Sequence, residues 1–143
     1  MLPVGYLPCT QDPPDGRNMA RVLDEIMAEA QAAEASGWDG CFITEHHQQP
    51  DGYLPNPLLM AGLVGMKTQR IKVGTCVLLL PLHHPVHVAE DCATVDLATK
   101  GRLILSVWSR LSAARFRCLR DSYWRTGAPY RRSTCSASSR MEG

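Results

Sequence analysis

A recurrence constrains this chain more than any single residue does. Short apolar runs open near residues 4, 40, 71 and 102, and a helical pattern follows each of the first three. Brief apolar strands alternating with amphipathic helices build a parallel sheet covered by helices, because each crossover must return the chain to the same edge. The repeat of about 31–36 residues suits a (β/α)8 barrel, whose ordinary length is roughly 250 residues. The fold expected is therefore α/β, a partial (β/α)8 TIM barrel of about four βα units. A doubly wound sheet is the alternative, but no G-x-G-x-x-G follows the first strand.

The units can be read from local chemistry. Val4 to Leu7 is a first strand, and the prolines and glycine of residues 8–17 form a loop. Asn18 is positioned to cap a helix whose apolar face is Met19, Val22, Leu23, Ile26, Met27, Ala30 and Ala33. Gly37 supplies its left-handed stop. Residues 40–44 form the second strand. Asn56-Pro57 opens a second helix containing Leu58, Leu59, Leu63 and Met66. Residues 71–80 make a continuous third strand. His84-Pro85 starts a third helix with Val86, Ala89, Ala93 and Leu97 along one stripe, and Gly101 ends it. Residues 102–105 begin a fourth strand.

Composition divides the chain. With 45% apolar residues and a net charge of +1, its 143 residues suit an ordinary folded domain rather than a disordered chain or a nucleic-acid binder. The near-neutrality is a cancellation. Residues 1–105 carry 7 basic and 12 acidic side chains, a net of −5, and residues 106–143 carry 8 and 2, a net of +6. The last 38 residues hold eight serines, against one, Ser36, before them. Two regions are therefore expected: a barrel segment at 1–105, and an irregular, poorly ordered, Arg/Ser-rich tail at 106–143. No apolar run reaches the roughly 18 residues of a membrane span. The N-terminus lacks the basic region of a signal peptide. The expected setting is the cytoplasm, with the six cysteines as reduced thiols; Cys41 and Cys76 lie in apolar runs, where a thiol acts as a small hydrophobe.

In parallel α/β folds the chemistry collects beyond the carboxyl ends of strands. The second strand runs into Glu45-His46-His47 and the third into Pro81-Leu82-His83-His84-Pro85. Histidine exchanges protons near neutral pH and donates to a developing anion, so His46, supported by Glu45, is the leading candidate. His83 and His87 fit equally well as solvated positions at a helix start, and His84 as a helix cap. A metal is not expected: H-E-x-x-H is absent, and adjacent histidines on a strand point to opposite sides. Glycine-rich phosphate loops and a G-x-S-x-G elbow are also missing.

An ordered set of short motifs resembles the bacterial luciferase-like family of flavin-dependent monooxygenases. It comprises Gly37-Trp38-Asp39, Glu45-His46-His47, Asn56-Pro57, Ile71-Lys72-Val73-Gly74-Thr75, Val77-Leu78-Leu79-Leu80-Pro81, His84-Pro85-Val86, Ala89-Glu90-Asp91, Asp96-Leu97 and Lys100-Gly101-Arg102. The resemblance implies a TIM barrel using reduced FMN, or in some members coenzyme F420, without a metal. The substrates would be a small organic molecule and dioxygen, or a hydride partner with F420. It implies that His46 is the active-site histidine, with Glu45 and His47 supporting it. It places Cys76-Val77 at a strand bulge beneath the flavin ring, often with a non-prolyl cis peptide, and His84 at the mouth of the third loop. It also implies a possible homodimer, with no membrane partner.

From Ser106 the motifs stop, where the charge and serine content shift. A reading-frame change in the encoding DNA would produce both, and sequencing the locus tests it: the absence of an intact alternative frame sinks the idea. The family holds its flavin phosphate from the later half of the barrel, so a non-enzymatic half-barrel remnant without flavin is the alternative function. The tail arginines, Arg115 to Arg132, lack interleaved structure that would make an RNA-binding surface.

Overall fold

In the computed structural model, residues 2–47 and 49–109 are described. The strands are β1 (Gly5–Tyr6), β2 (Gly40–Ile43), β3 (Lys72–Thr75), β4 (Leu78–Leu79), β5 (Leu103–Ile104) and β6 (Val107–Trp108). The helices are α1 (Met19–Ala35), α2 (Pro57–Lys67) and α3 (Pro85–Ala98), with a 3-10 turn at Leu80–Leu82. A parallel sheet runs β1-β2-β3-β5, in register Gly5 to Gly40, Cys41 to Val73 and Val73 to Leu103. β4 and β6 form a second, parallel pair.

Strand alternation decides what each face does. Cys41 and Ile43 of β2, with Ile71 and Val73 at β3, are fully buried against Val22, Ile26, Ala30 and Ala33 of α1 and Met60, Ala61 and Val64 of α2. Each large aliphatic side chain buried there is worth about 1.5–3 kcal/mol. The other face is sparse. Phe42 lies over Gly5 and Gly40, and a Cβ on Gly5 would stand 2.9 Å from the ring. That close approach makes glycine the fitting residue at this strand crossing.

Polar clasps close the ends of the strands. Asp39 accepts from the Val4 N–H at 2.8 Å, joining β1 to the turn before β2. Trp38 meets Tyr6 edge-on at 5.7 Å, and the Tyr6 hydroxyl donates to Glu29 at 2.7 Å. Partial burial, then the Glu29 hydrogen bond, pushes the Tyr6 hydroxyl up to about 12. Glu34 accepts three consecutive backbone N–H groups, from Gln69, Arg70 (2.6 Å) and Ile71 (2.8 Å), pinning the α2–β3 turn to the end of α1. Burial pushes the Glu34 carboxyl up, but these N–H donors outweigh it and hold the group below its ordinary value.

Four expectations change. Asn18 occupies the N-cap of α1, but its side chain makes no capping bond; its N–H instead donates to Asp12 at 2.7 Å. Asn56 does cap α2, accepting from Leu59 N–H at 3.1 Å. The expected strand at 71–80 breaks after Thr75: the Cys76–Val77 peptide is cis, and the chain resumes as β4 and then the 3-10 turn. Cys76 is exposed rather than buried as a small hydrophobe, whereas Cys41 is fully buried. On α3 the stripe Val86, Ala89, Ala93 and Leu97 is exposed; Val88, Cys92 and Val95 are the half-buried residues, because α3 meets α2 through Val95 against Gly62.

The compact unit containing these elements ends at Ser109. It takes in β6, four residues beyond the composition boundary, because Ser106 is stitched to β3. Its carbonyl accepts from Thr75 Oγ1 at 2.7 Å and from Leu78 N–H at 2.8 Å. The expectations for the remaining tail, with Cys118 and Cys135, lie outside the described residues.

Candidate active site

Glu45 lies two residues beyond the end of β2, and its side chain is 0% exposed. Burying an ionised carboxylate is costly unless every lone-pair direction is met. Here three donors converge on it. His47 Nε2 lies 2.6 Å and His83 Nε2 3.1 Å from Oε1, while the Leu79 N–H donates to Oε2 at 2.7 Å. Burial pushes the carboxyl up, but hydrogen bonds from His47, Leu79 N–H and His83 outweigh it, so the group sits below its ordinary value. Glu45 is therefore an anion at neutral pH, tying the loop after β2 to the chain after β3.

His46 points differently from its neighbours, as alternation requires. Its ring packs on Tyr53, centroids 3.9 Å apart and planes tilted by 41°, and its N–H donates to the Leu54 carbonyl at 3.1 Å. The Thr10 and Thr44 hydroxyls share a hydrogen bond at 2.9 Å, drawing the loop after β1 to the end of β2. Cys76 N–H donates to the Ile43 carbonyl at 2.7 Å, so the cis Cys76–Val77 segment is held beside the start of Glu45-His46-His47.

The structure thus brings Glu45, His46, His47, Cys76 and Val77 to the carboxyl ends of two adjacent parallel strands. His84 is elsewhere: exposed at the N-cap of α3 without a side-chain cap bond, edge-on to His87 at 5.4 Å. His83 takes the inward position, because the 3-10 turn at Leu80–Leu82 rotates the chain before it. From the sequence, His83 stood open between a strand-end site residue and a solvated helix start. The available signal was its place in the Pro81-Leu82-His83-His84-Pro85 run beyond the third apolar stretch. Among the described residues no group of three or more His, Cys, Asp or Glu is arranged to hold a metal ion.

A model of the family described as luciferase-like monooxygenase matches residues 3–133. The chain belongs to this family. Over 108 residues this luciferase-like chain is 32% identical to the alkanal monooxygenase alpha chain of the Kryptophanaron alfredi symbiont, covering 76% of this chain and 30% of that one. The oxygenating constituent of 3,6-diketocamphane monooxygenase from Pseudomonas putida, solved in complex with FMN, superposes with a TM-score of 0.73 at 24% identity, over 82% of this chain and 32% of that chain. Coenzyme F420 dependent tetrahydromethanopterin reductase from Methanopyrus kandleri superposes with a TM-score of 0.57 at 20% identity, over 90% and 30%. The fold is that of part of a TIM barrel. The chain spans less than a third of the length of the curated relatives it matches. The family match runs past residue 105 into the Arg/Ser-rich segment.

Proposed function

We propose that this chain carries the strand-end site of a flavin-dependent oxidoreductase acting as a monooxygenase on a small organic substrate with dioxygen, and that reduced FMN is its cofactor. The observation that carries the reading is the convergence of the ionised Glu45 cluster, His46 and the Cys76–Val77 segment at the ends of β2 and β3. The lining fits the ring portion of a flavin: an exposed Cys76, a half-buried Val77 and the tilted, closely packed His46–Tyr53 pair offer a largely apolar and aromatic surface. When bound, the reduced flavin supplies the electrons that activate dioxygen. The chain's own residues orient and move protons. Tyr53 fixes the plane of His46, which holds or gives a proton at a ring nitrogen. Glu45 keeps His47 and the β3 loop in place, and Thr10–Thr44 closes the β1 side.

The test is titration of the full 143-residue chain with reduced FMN, followed by turnover with dioxygen. Saturable binding is expected. His46→Ala should cut turnover by about 100-fold or more, the usual worth of a positioned proton-transfer group, while changing FMN affinity less than about threefold. Absence of binding would favour the remnant. Binding of F420 in place of FMN would move the reading to hydride transfer. Unchanged turnover in His46→Ala would remove the role given to His46. In this reading the compartment is the cytoplasm, where the free Cys9, Cys41, Cys76 and Cys92 stay reduced.

The same proposal includes a homodimer. Leu59, Leu63 and Met66 form one exposed stripe on α2, at spacings of four and three residues. Such a continuous apolar ridge is a common contact surface. Sedimentation velocity should show a dimer that Leu63→Glu dissociates at least tenfold more readily. A monomeric parent protein at tens of micromolar would refute the dimer.

A further inference from the structure

His83 has no place in the assignment above, yet among the described residues it is one of three donors to the buried carboxylate. Glu45, ionised and without a proton, can only accept, so a ring nitrogen bonded to it must carry the hydrogen. Both contacts are made by Nε2, at 2.6 Å for His47 and 3.1 Å for His83. Both neutral rings are therefore the Nε2–H tautomer, with Nδ1 left as the basic nitrogen. The rings are 20% and 27% exposed, so solvent protons reach them while the carboxylate stays dry.

One buried negative charge between two imidazoles favours one added proton and disfavours two. With one proton the cluster is neutral; a second makes it cationic, with two imidazolium rings on one oxygen atom. Among the described residues, the titratable groups in contact with Glu45 include His47 from its own loop and His83 from the chain after the 3-10 turn. Nearby, the His46 ring packs at a tilt on Tyr53, and His84 meets His87 edge-on.

Resting on the oxidoreductase reading, we propose that His83 is a positioning residue of this site, sharing with His47, across the Glu45 carboxylate, a single exchangeable proton. The transfer is simple in balance: one Nδ1–H gives its proton to water or to a neighbouring acceptor, the imidazolium becomes neutral imidazole, and the Nε2–H bond to Glu45 remains. His83 thereby sets the charge of His47, while the Glu45 carboxylate holds the tautomer of both rings. It also links the β3 loop to the β2 loop, so a change in proton occupancy is felt at His46 through the backbone of Glu45-His46-His47.

The test is nitrogen-15 histidine NMR of the full chain through a pH titration, with no cofactor present. The expected parent spectrum has Nε2–H tautomers for His47 and His83, and the two rings gain protons in two coupled steps, the first disfavouring the second. His83→Gln keeps an N–H donor near the Nε2 position but does not titrate. It should leave the His47 tautomer unchanged and collapse its titration to one step. An Nδ1–H tautomer on either ring of the parent overturns the proposal, and that spectrum decides even where a variant fails to fold. Identical single-step titration of His47 in parent and His83→Gln also overturns it. The NMR outcome is independent of FMN binding, so loss of the proton-sharing pair and loss of the flavin reading register separately.

Discussion

Arg102→Ala should lower the stability of the described unit by about 4 kcal/mol, a large part of the 5–15 kcal/mol that holds a domain of ordinary size. The guanidinium donates five hydrogen bonds. Nη2 reaches the carbonyls of Gly65 (2.6 Å) and Thr68 (3.1 Å). Nη1 reaches the Ile71 carbonyl (2.9 Å) and Thr68 Oγ1 (3.0 Å), and Nε reaches the Thr99 carbonyl (2.8 Å). Gly65, Thr68, Ile71 and Thr99 are all buried. Alanine leaves these acceptors without a donor, at about 1–3 kcal/mol each, and water entering the vacated space restores part of the loss. Arg102 also places its cation at the carboxyl ends of both α2 and α3, where the helix dipoles favour it. Arg102→Lys should recover less than half, because one ammonium cannot span acceptors spread over two helices and a strand start. Urea denaturation followed by far-ultraviolet circular dichroism measures this. A midpoint equal to the parent's would show that the network contributes nothing net.

Gly74→Ala should cost about 3 kcal/mol, the upper range for overpacking, although it adds one carbon atom. A Cβ at Gly74 would collide with the Ile104 carbonyl oxygen, with the Ile104 Cβ at 3.3 Å behind it. The obstacle is backbone, so no rotamer relieves it. β5 must move away from β3, which strains the Val73 N–H bond to the Arg102 carbonyl at 3.0 Å and disturbs the start of the Cys76–Val77 segment. Hydrogen exchange at Val73 should accelerate by more than the global loss of stability accounts for. Protection and midpoint both matching the parent would mean the strands approach less closely than described. The effect reaches the site because Gly74 lies two residues before Cys76 on the strand that carries it.

The alternation of strands and helices was legible because period and punctuation are local. Gly37 (φ 86°) and Gly101 (φ 76°) end their helices in the left-handed conformation. The Asn56 cap needs only three residues of context. Glu45-His46-His47 was legible for the same reason: it directly follows an apolar strand. The order of strands in the sheet followed from the repeat, since consecutive βα units lay neighbours side by side.

Other features were not visible in the chain alone because they depend on residues distant in sequence. Asn18 had the chemistry of a cap, but its side chain makes no cap bond, and its backbone N–H is held by Asp12. The stripe on α3 had the right spacing, but the helix is covered along a different line. Lys100-Gly101-Arg102 stood out as a motif, yet nothing local says that Arg102 bonds to residues 31–37 positions earlier. His83 and His84 are adjacent and chemically identical, and only the turn at Leu80–Leu82 determines that His83 meets Glu45 while His84 faces α3. Short-range physics, the steric limits of φ and ψ and the periodicity of apolar side chains, is written in neighbouring residues. The burial of Glu45 and the bonds that make it bearable are decided by elements that meet only when the sheet closes, and that meeting separates the inward histidine from its exposed neighbour.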